Sequence, residues 1–278
     1  MFKKLFLEAF FMGLMSGKKG IIFGVSNKRG IGYAIAKKLF DEGADIAFTY
    51  AGDIMKNRVT PLAEEMNAKL ITSCDVTSDD DIKRVSNEFK YTYETCDFII
   101  HAVAFANKED LEGDFSNVTR QGWDTAMSVS AYSFVAIANT FKPLINESTS
   151  LIALSYLGGE RSVPNYNIMG VAKAALEASV RYLALEFGEL GARVNAISAG
   201  PVKTLAAKGI TGFDILLKVN AARAPLKRNV TLDEVGNAGL YLCSHLSSGV
   251  TGETHHVDCG YHSIATSRED AKIIGISA

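Results

Sequence analysis

Tyr166 and Lys173 stand seven positions apart in the segment Asn165-Tyr166-Asn167-Ile168-Met169-Gly170-Val171-Ala172-Lys173. On a helix of 3.6 residues per turn, positions i and i+7 share a face and lie about 10 Å apart along the axis. A phenol titrates near pH 10 and is a proton donor at neutral pH. An ammonium beside it favours phenolate character and strengthens the hydrogen bond the phenol gives. The pair suits a reaction in which negative charge develops on a substrate oxygen and a positioned O–H receives it. A second phenol, Tyr156, lies in Ser155-Tyr156-Leu157-Gly158-Gly159. Taken alone, a tyrosine and a lysine on one helix face are commonplace, so the reading depends on what surrounds them.

A phosphate-binding loop stands far upstream. Gly24-Val25-Ser26-Asn27-Lys28-Arg29-Gly30-Ile31-Gly32 joins an apolar run to an amphipathic segment of helical length. Gly24 allows a tight turn out of a strand. Gly30 and Gly32 let backbone approach a pyrophosphate and let the helix sit close to the sheet. The free N–H groups and positive dipole end of that helix then face the phosphates. Position between first strand and first helix favours a dinucleotide site over an ordinary glycine-rich loop. Asp75-Val76 follow the third apolar run, where an acid either accepts from an adenine amino group or caps a helix. His101 ends the fourth run, at the sheet edge where ligands sit in open α/β folds, although a lone histidine there is more often a packed core residue.

These residues need a scaffold, and the chain supplies one. Short apolar runs at Gly20–Val25, Asp45–Tyr50, Lys69–Ser73, Asp97–Val103, Ser150–Ser155, Arg193–Ser198 and His255–Val257 alternate with helical patterns at Ile31–Asp41, Met55–Met66, Asp79–Tyr91, Thr119–Phe141, Asn165–Leu190 and Thr231–Ser244. Such alternation predicts an α/β fold with a Rossmann-type, doubly wound parallel sheet in a single domain. The 278 residues are 47% hydrophobic, which allows a sizeable core and argues against disorder. A net charge of -2, from 29 basic and 31 acidic residues, gives no footprint for nucleic acid or an anionic membrane. Cys74, Cys96, Cys243 and Cys259 form no CxxC pair and no zinc spacing, so no metal is expected and the thiols fit a reducing, cytoplasmic compartment. Residues 1–15, MFKKLFLEAFFMGLM, read as an N-terminal leader or tail, with 16–278 as the domain. The run is too short for a membrane span and lacks a good cleavage site.

The segments LSYLGGE, PNYNIMGVAKAALEASVRYLA, RVNAISAGPVKTLAA, APLKRNVT and HVDCG closely resemble those of the bacterial-type enoyl-[acyl-carrier-protein] reductases, within the short-chain dehydrogenase/reductase superfamily. The likeness runs from about Gly13 to Ala265. The Tyr-x6-Lys spacing is specific, because ketone-reducing relatives use Tyr-x3-Lys and here that position is Gly170. Their NNAG strand end is replaced by HAVAFA. The resemblance implies NADH-dependent reduction of the 2,3-double bond of a trans-2-enoyl thioester on acyl-carrier protein, in fatty acid elongation. It implies Tyr166 as donor to the thioester carbonyl, Lys173 on the nicotinamide ribose, and Tyr156 as a second active-site tyrosine. Cofactor contacts would come from Gly24, Gly30, Ile31, Ala51, Asp75, Val76, Val103, Val202, Lys203, Thr204, Leu205 and Ala206. Ala106 would lie by the substrate, and a substrate lid would span about 204–219. The resemblance also implies a homotetramer.

After the second strand the chain reads Thr49-Tyr50-Ala51-Gly52-Asp53. No cation stands there to pair a 2′-phosphate and Asp53 would repel one, so NADH is expected over NADPH. Ala51 offers no side-chain hydrogen bond to an adenosine. Thr211, Asp214 and Ile215 stand where relatives often place basic lid residues, with Lys208, Lys218 and Arg223 nearby. The alternatives are another short-chain oxidoreductase acting on enoyl-CoA or ketoacyl substrates, and a nucleotide-binding regulator without turnover. The Tyr166/Lys173 pair argues against the regulator, and the spacing argues against the ketoacyl reductase.

Overall fold

The structure, a computed structural model, describes residues 13–204, 212–273 and 275. Among them, β1 (Lys19–Phe23), β2 (Asp45–Tyr50), β3 (Ile71–Ser73), β4 (Cys96–His101), β5 (Ile145–Ser155), β6 (Arg193–Ala199) and β7 (Thr254–Val257) join in one sheet. The order is β3-β2-β1-β4-β5-β6-β7, and every pairing is parallel. This is the doubly wound sheet expected from the alternation of apolar runs and helical patterns. Its topological switch lies where the chain leaves β1 for β2 on one side and later returns to β4 on the other.

Central strands are buried on both faces, and their side chains divide between two cores. Ile22, Phe98, Ile100, Ile152 and Ile197 pack beneath α1 (Ile31–Asp41), α2 (Gly52–Glu64) and α8 (Leu232–Cys243). Ile21, Phe23, Ile99, Leu151 and Val194 pack beneath α3 (Asp79–Tyr93), α5 (Ser133–Phe141) and α6 (Asn167–Gly188). Neighbours such as Phe98 and Ile99 enter opposite cores because successive strand side chains point to opposite faces. Helix starts are fixed by local chemistry. Ser78 caps α3, Thr119 caps α4 (Arg120–Met127), and Thr231 with Glu234 forms a reciprocal capping box on α8.

Three departures from the periodicity bear on function. The helix expected over Thr119–Phe141 is interrupted at Ser128–Tyr132 by a π turn, which places Ser130 and Ser133 against the end of β4. The helix expected from Asn165 starts at Asn167, with Asn165 at φ 60° and Tyr166 at the N-cap. A helix not anticipated, α7 (Phe213–Arg223), follows β6; Leu217 and Asn220 are its buried residues. A short α9 (Arg268–Ile273) lies beside α7, where Asp270 accepts from Arg223 at 2.8 Å. Met15, assigned to the leader, is 1% exposed and its N–H donates to Glu42 O at 3.0 Å. No helix among the described residues is long and apolar enough to cross a membrane.

Candidate active site

A cleft of about 490 Å³ opens at the carboxyl ends of β1, β4, β5 and β6. One end is made by the glycine-rich loop. Gly24 has φ 94°, and a Cβ there would lie 2.3 Å from Ala102 O, so only glycine fits. A Cβ on Gly32 would stand 3.1 Å from the Ala102 methyl, which holds α1 close to β4. The N-cap of α1 is Gly30, which provides no side-chain acceptor. The first-turn N–H groups of α1 are thus left without the side-chain acceptor that α3, α4 and α8 possess. The residues present therefore suit an external anion such as a pyrophosphate.

The other end holds the two tyrosines and the lysine. Tyr156 leaves β5 and Tyr166 caps α6, and their rings meet edge to face with centroids 4.9 Å apart. Glycine makes this possible. A Cβ on Gly158 would lie 2.4 Å from the Tyr166 ring, and one on Gly170 would lie 2.7 Å from Gly158 O. The position where ketone reductases carry lysine is thus pressed against backbone here. Lys173 is 5% exposed and donates to Leu154 O at 2.6 Å. Burial pulls its ammonium down to about 8. Burial pushes the Tyr166 phenol well above the usual tyrosine value, with Tyr156 and Glu177 adding to the rise. Tyr156 is pushed up to about 12, again mainly by burial. The phenolate character expected from a neighbouring ammonium is corrected by this geometry. Lys173 turns its charge to a strand carbonyl, and Tyr166 stays a neutral O–H donor.

Of the sequence-derived positions, Gly24, Gly30, Ile31, Val103, Ala106, Tyr156, Tyr166, Lys173, Val202 and Thr204 line this one cleft. Ala51 and Asp75 sit outside its walls, after the neighbouring strands β2 and β3. Asp75 folds back onto Thr77, accepting from its N–H at 2.9 Å and its hydroxyl at 2.7 Å. Val76 is half-buried against the core. Lys203 is exposed, with Nζ 3.9 Å from Asp214. Leu205 and Ala206, with Lys208 and Thr211, lie outside the described residues. His101 resolves to a core role: it is fully buried, paired with Ser133 Oγ at 2.7 Å, and held neutral by burial, which pulls it down to about 3.

Several lining residues were not foreseen. Ser26 stands in the loop, and Phe105, Met169, Phe213 and Leu216 form an apolar wall around the tyrosines. Phe105 follows the strand end beside Ala104, and its apolar side chain in a loop was the available signal. Its backbone is gripped by Ser130, which receives the Phe105 N–H at 2.9 Å and donates to Phe105 O at 3.0 Å. Phe213 and Leu216 come from α7, whose mixed sequence shows no helical stripe.

Residues 24–262 match the family model described as Enoyl-(Acyl carrier protein) reductase. The chain is 50% identical over 264 residues to Enoyl-[acyl-carrier-protein] reductase [NADH] 1 of Rhizobium meliloti, covering 95% of this chain and 97% of that relative. It is 47% identical to Enoyl-[acyl-carrier-protein] reductase [NADH] FabI of Rickettsia prowazekii, over 92% of this chain and 98% of that relative. The crystal structure of the Aquifex aeolicus enoyl-[acyl-carrier-protein] reductase (NADH) superposes with a TM-score of 0.89 at 43% identity, over 91% of this chain and all (100%) of that one. The Anaplasma phagocytophilum reductase, crystallised with NAD, gives 0.88 at 47% identity, over 92% of this chain and 97% of that one. With matches of this extent joined to a cleft that sets two tyrosines and a lysine opposite a glycine-rich loop, the chain belongs to the enoyl-(acyl carrier protein) reductase family.

Proposed function

We propose that this enzyme reduces the 2,3-double bond of trans-2-enoyl thioesters on acyl-carrier protein with NADH, a step of fatty acid elongation. The carrying observation is the edge-to-face pair Tyr156/Tyr166 with buried Lys173 in one cleft, together with a Gly170 that has no room for the lysine of a ketone reductase.

Bound NADH supplies a hydride to C3 of the enoyl group. The chain's own residues deal with the consequence, which is negative charge on the thioester oxygen. The Tyr166 O–H donates to that oxygen, and its raised proton affinity keeps the proton on the phenol while the enolate forms. Tyr156, packed against the Tyr166 ring, fixes its plane. Lys173 would hold the nicotinamide ribose, with Gly24, Gly30 and Ile31 at the pyrophosphate and Val103, Val202 and Thr204 bordering the nicotinamide end. Lys203, Leu205 and Ala206 would continue that border. Ala51, Asp75 and Val76, beyond the cleft after β2 and β3, are assigned to the adenosine side. Ala106 would lie by the acyl chain. Met169, Phe213 and Leu216 would give the reacting atoms an apolar wall, with half-exposed Phe105 at its edge. We assign 204–219 to a substrate lid, within a single catalytic unit from residue 16 onward.

We also assign a homotetramer, supported by the resemblance and by apolar side chains on the outer faces of α4 and α6. Trp123 is 40% exposed, Tyr182 78% and Leu185 75%. The cytoplasm is the compartment that suits four unpaired thiols.

The test is NADH oxidation with crotonyl-carrier protein, crotonyl-CoA and acetoacetyl-carrier protein side by side. Steady oxidation with the first and little with the third is expected. A clear preference for the ketoacyl substrate overturns the reading, and a preference for crotonyl-CoA removes the carrier protein from it.

A further inference from the structure

Glu177 lies one turn beyond Lys173 on α6, so both side chains leave the same helix face toward the end of β5. Both are buried, at 5% exposure each. They grip consecutive residues of the strand. Lys173 donates to Leu154 O at 2.6 Å, and Glu177 Oε1 accepts a short hydrogen bond from Ser155 Oγ. The next residue is Tyr156.

The carboxylate is closely confined. A Cβ on Gly159 would stand 2.8 Å from Glu177 Oε1 and 3.1 Å from the Lys173 carbonyl carbon, so the turn after Tyr156 has shaped itself around this acid. A buried carboxylate needs compensation. The charged and titratable groups facing it are Lys173 on its own helix, Tyr166 at the N-cap of that helix, Glu160 after β5, and His256 on β7. Glu160 is itself engaged with His256 Nε2 at 2.7 Å. Lys173 is the cation buried on the same helix face as Glu177; burial pushes the Glu177 carboxyl up, and Ser155 and Lys173 work against that rise.

We propose that Glu177 is a positioning residue of the reductase site, which supplies the buried counter-charge for Lys173 and anchors the strand end that carries Tyr156. This rests on the assignment of Lys173 to the cofactor. Burial works against the Lys173 ammonium and Glu177 works for it. Removing the carboxylate charge leaves burial unopposed, and Lys173 loses its proton at lower pH.

The test reads NADH binding by fluorescence titration between pH 6 and pH 10, without acyl substrate, together with kcat for crotonyl-carrier protein. In the unaltered enzyme NADH affinity falls as pH rises through the Lys173 titration. Glu177→Gln keeps an acceptor for Ser155 and removes the charge. Its affinity loss is expected at lower pH, by roughly one pH unit. Glu177→Asp keeps a carboxylate and is expected to restore the position of that fall. Ser155→Ala frees the strand end and takes away the donor that holds the Glu177 carboxyl down against burial. It should lower kcat and move the fall in NADH affinity toward lower pH, in the same direction as Glu177→Gln and by less. Superimposable binding profiles for the unaltered enzyme and Glu177→Gln overturn the proposal, as does a Glu177→Asp profile shifted like that of Gln. Should Glu177→Gln fail to fold, an unmoved profile in Ser155→Ala overturns it instead. An unaltered enzyme that binds no NADH at any pH condemns the reductase reading, not this one.

Discussion

The division of work proposed for Tyr166 and Lys173 can be measured. Tyr166→Phe removes only the donor to the developing enolate. It should lower kcat by about 10²–10³ while NADH binding stays near that of the unaltered enzyme. Lys173→Ala should weaken NADH binding as well as turnover, and it also leaves Leu154 O without its donor. Fluorescence titration of both variants separates the roles; equal loss of cofactor in the two would refute the division. The pH dependence follows from burial. Lys173 sits at about 8 in the folded enzyme, so it is charged below that pH and neutral above it. NADH affinity should hold at pH 7 and fall as pH rises through about 8. A flat profile to pH 9.5 would remove the ammonium from cofactor binding. That the two side chains share one cleft was legible because their spacing is a sequence property. Their electrostatics were not. The direction of the Lys173 ammonium depends on Leu154 O, contributed by β5, and no local pattern carries that information.

At the scale of elements, strands buried on both faces were legible as continuous apolar runs, and capped helices by their Ser or Thr starts. The two elements that shape the acyl side were not. The π turn at Ser128–Tyr132 hides inside a sequence with ordinary helical periodicity, because the extra residue is absorbed by Ser130 reaching back to Phe105. Helix α7 has apolar residues on several sides, since one side meets the protein and another meets the cleft. Its anchoring is polar. Asn220, 2% exposed, donates to Asn229 Oδ1 at 3.0 Å, and Asn229 Nδ2 donates to Leu217 O at 3.0 Å. Asn229→Ala leaves a buried amide unpaired, at about 1–3 kcal/mol, and loosens the seat of α7. Steady-state kinetics should show KM for the enoyl substrate rising several-fold with KM for NADH little changed. Equal rises in both constants would mean that α7 serves the cofactor instead.

For the whole molecule, the parallel sheet brings residues from the first 30 positions and from near position 170 into one cleft, because the switch between β1 and β4 faces the carboxyl ends of both halves. That convergence was legible from the alternation of apolar runs and helical patterns, which predicts a doubly wound sheet with ligands at its carboxyl edge. The outer surface was not, since an exposed Tyr182 or Leu185 reads as part of an ordinary amphipathic helix until burial is known. If α6 packs against another copy, Leu185→Glu places a charge in an apolar interface. Light scattering should then report species smaller than the unaltered assembly, at unchanged secondary structure. An unaltered mass in the variant, or a monomer in the unaltered protein, counts against the tetramer.

The contact between Gly170 and Gly158 also bears on ancestry and on redesign. A ketone-reducing site needs its lysine at position 170, and the space there is already filled by a backbone carbonyl 2.7 Å from where the first side-chain carbon would go. Overpacking at a rigid backbone contact costs about 1–3 kcal/mol, and here the displaced turn also carries the ring contact of Tyr166. The two chemistries are therefore not joined by a path of single neutral replacements. A first step at Gly170 damages the loop, and a first step at Lys173 removes the donor to Leu154 O, before the second can repair the function. The double variant Gly170→Lys with Lys173→Ala should reduce neither acetoacetyl- nor crotonyl-carrier protein, and Gly170→Ala alone should already lower Tm. Ketoacyl turnover in the double variant would show that the turn at Gly158 yields easily, and that the spacing of tyrosine and lysine is free to drift between the two reactions.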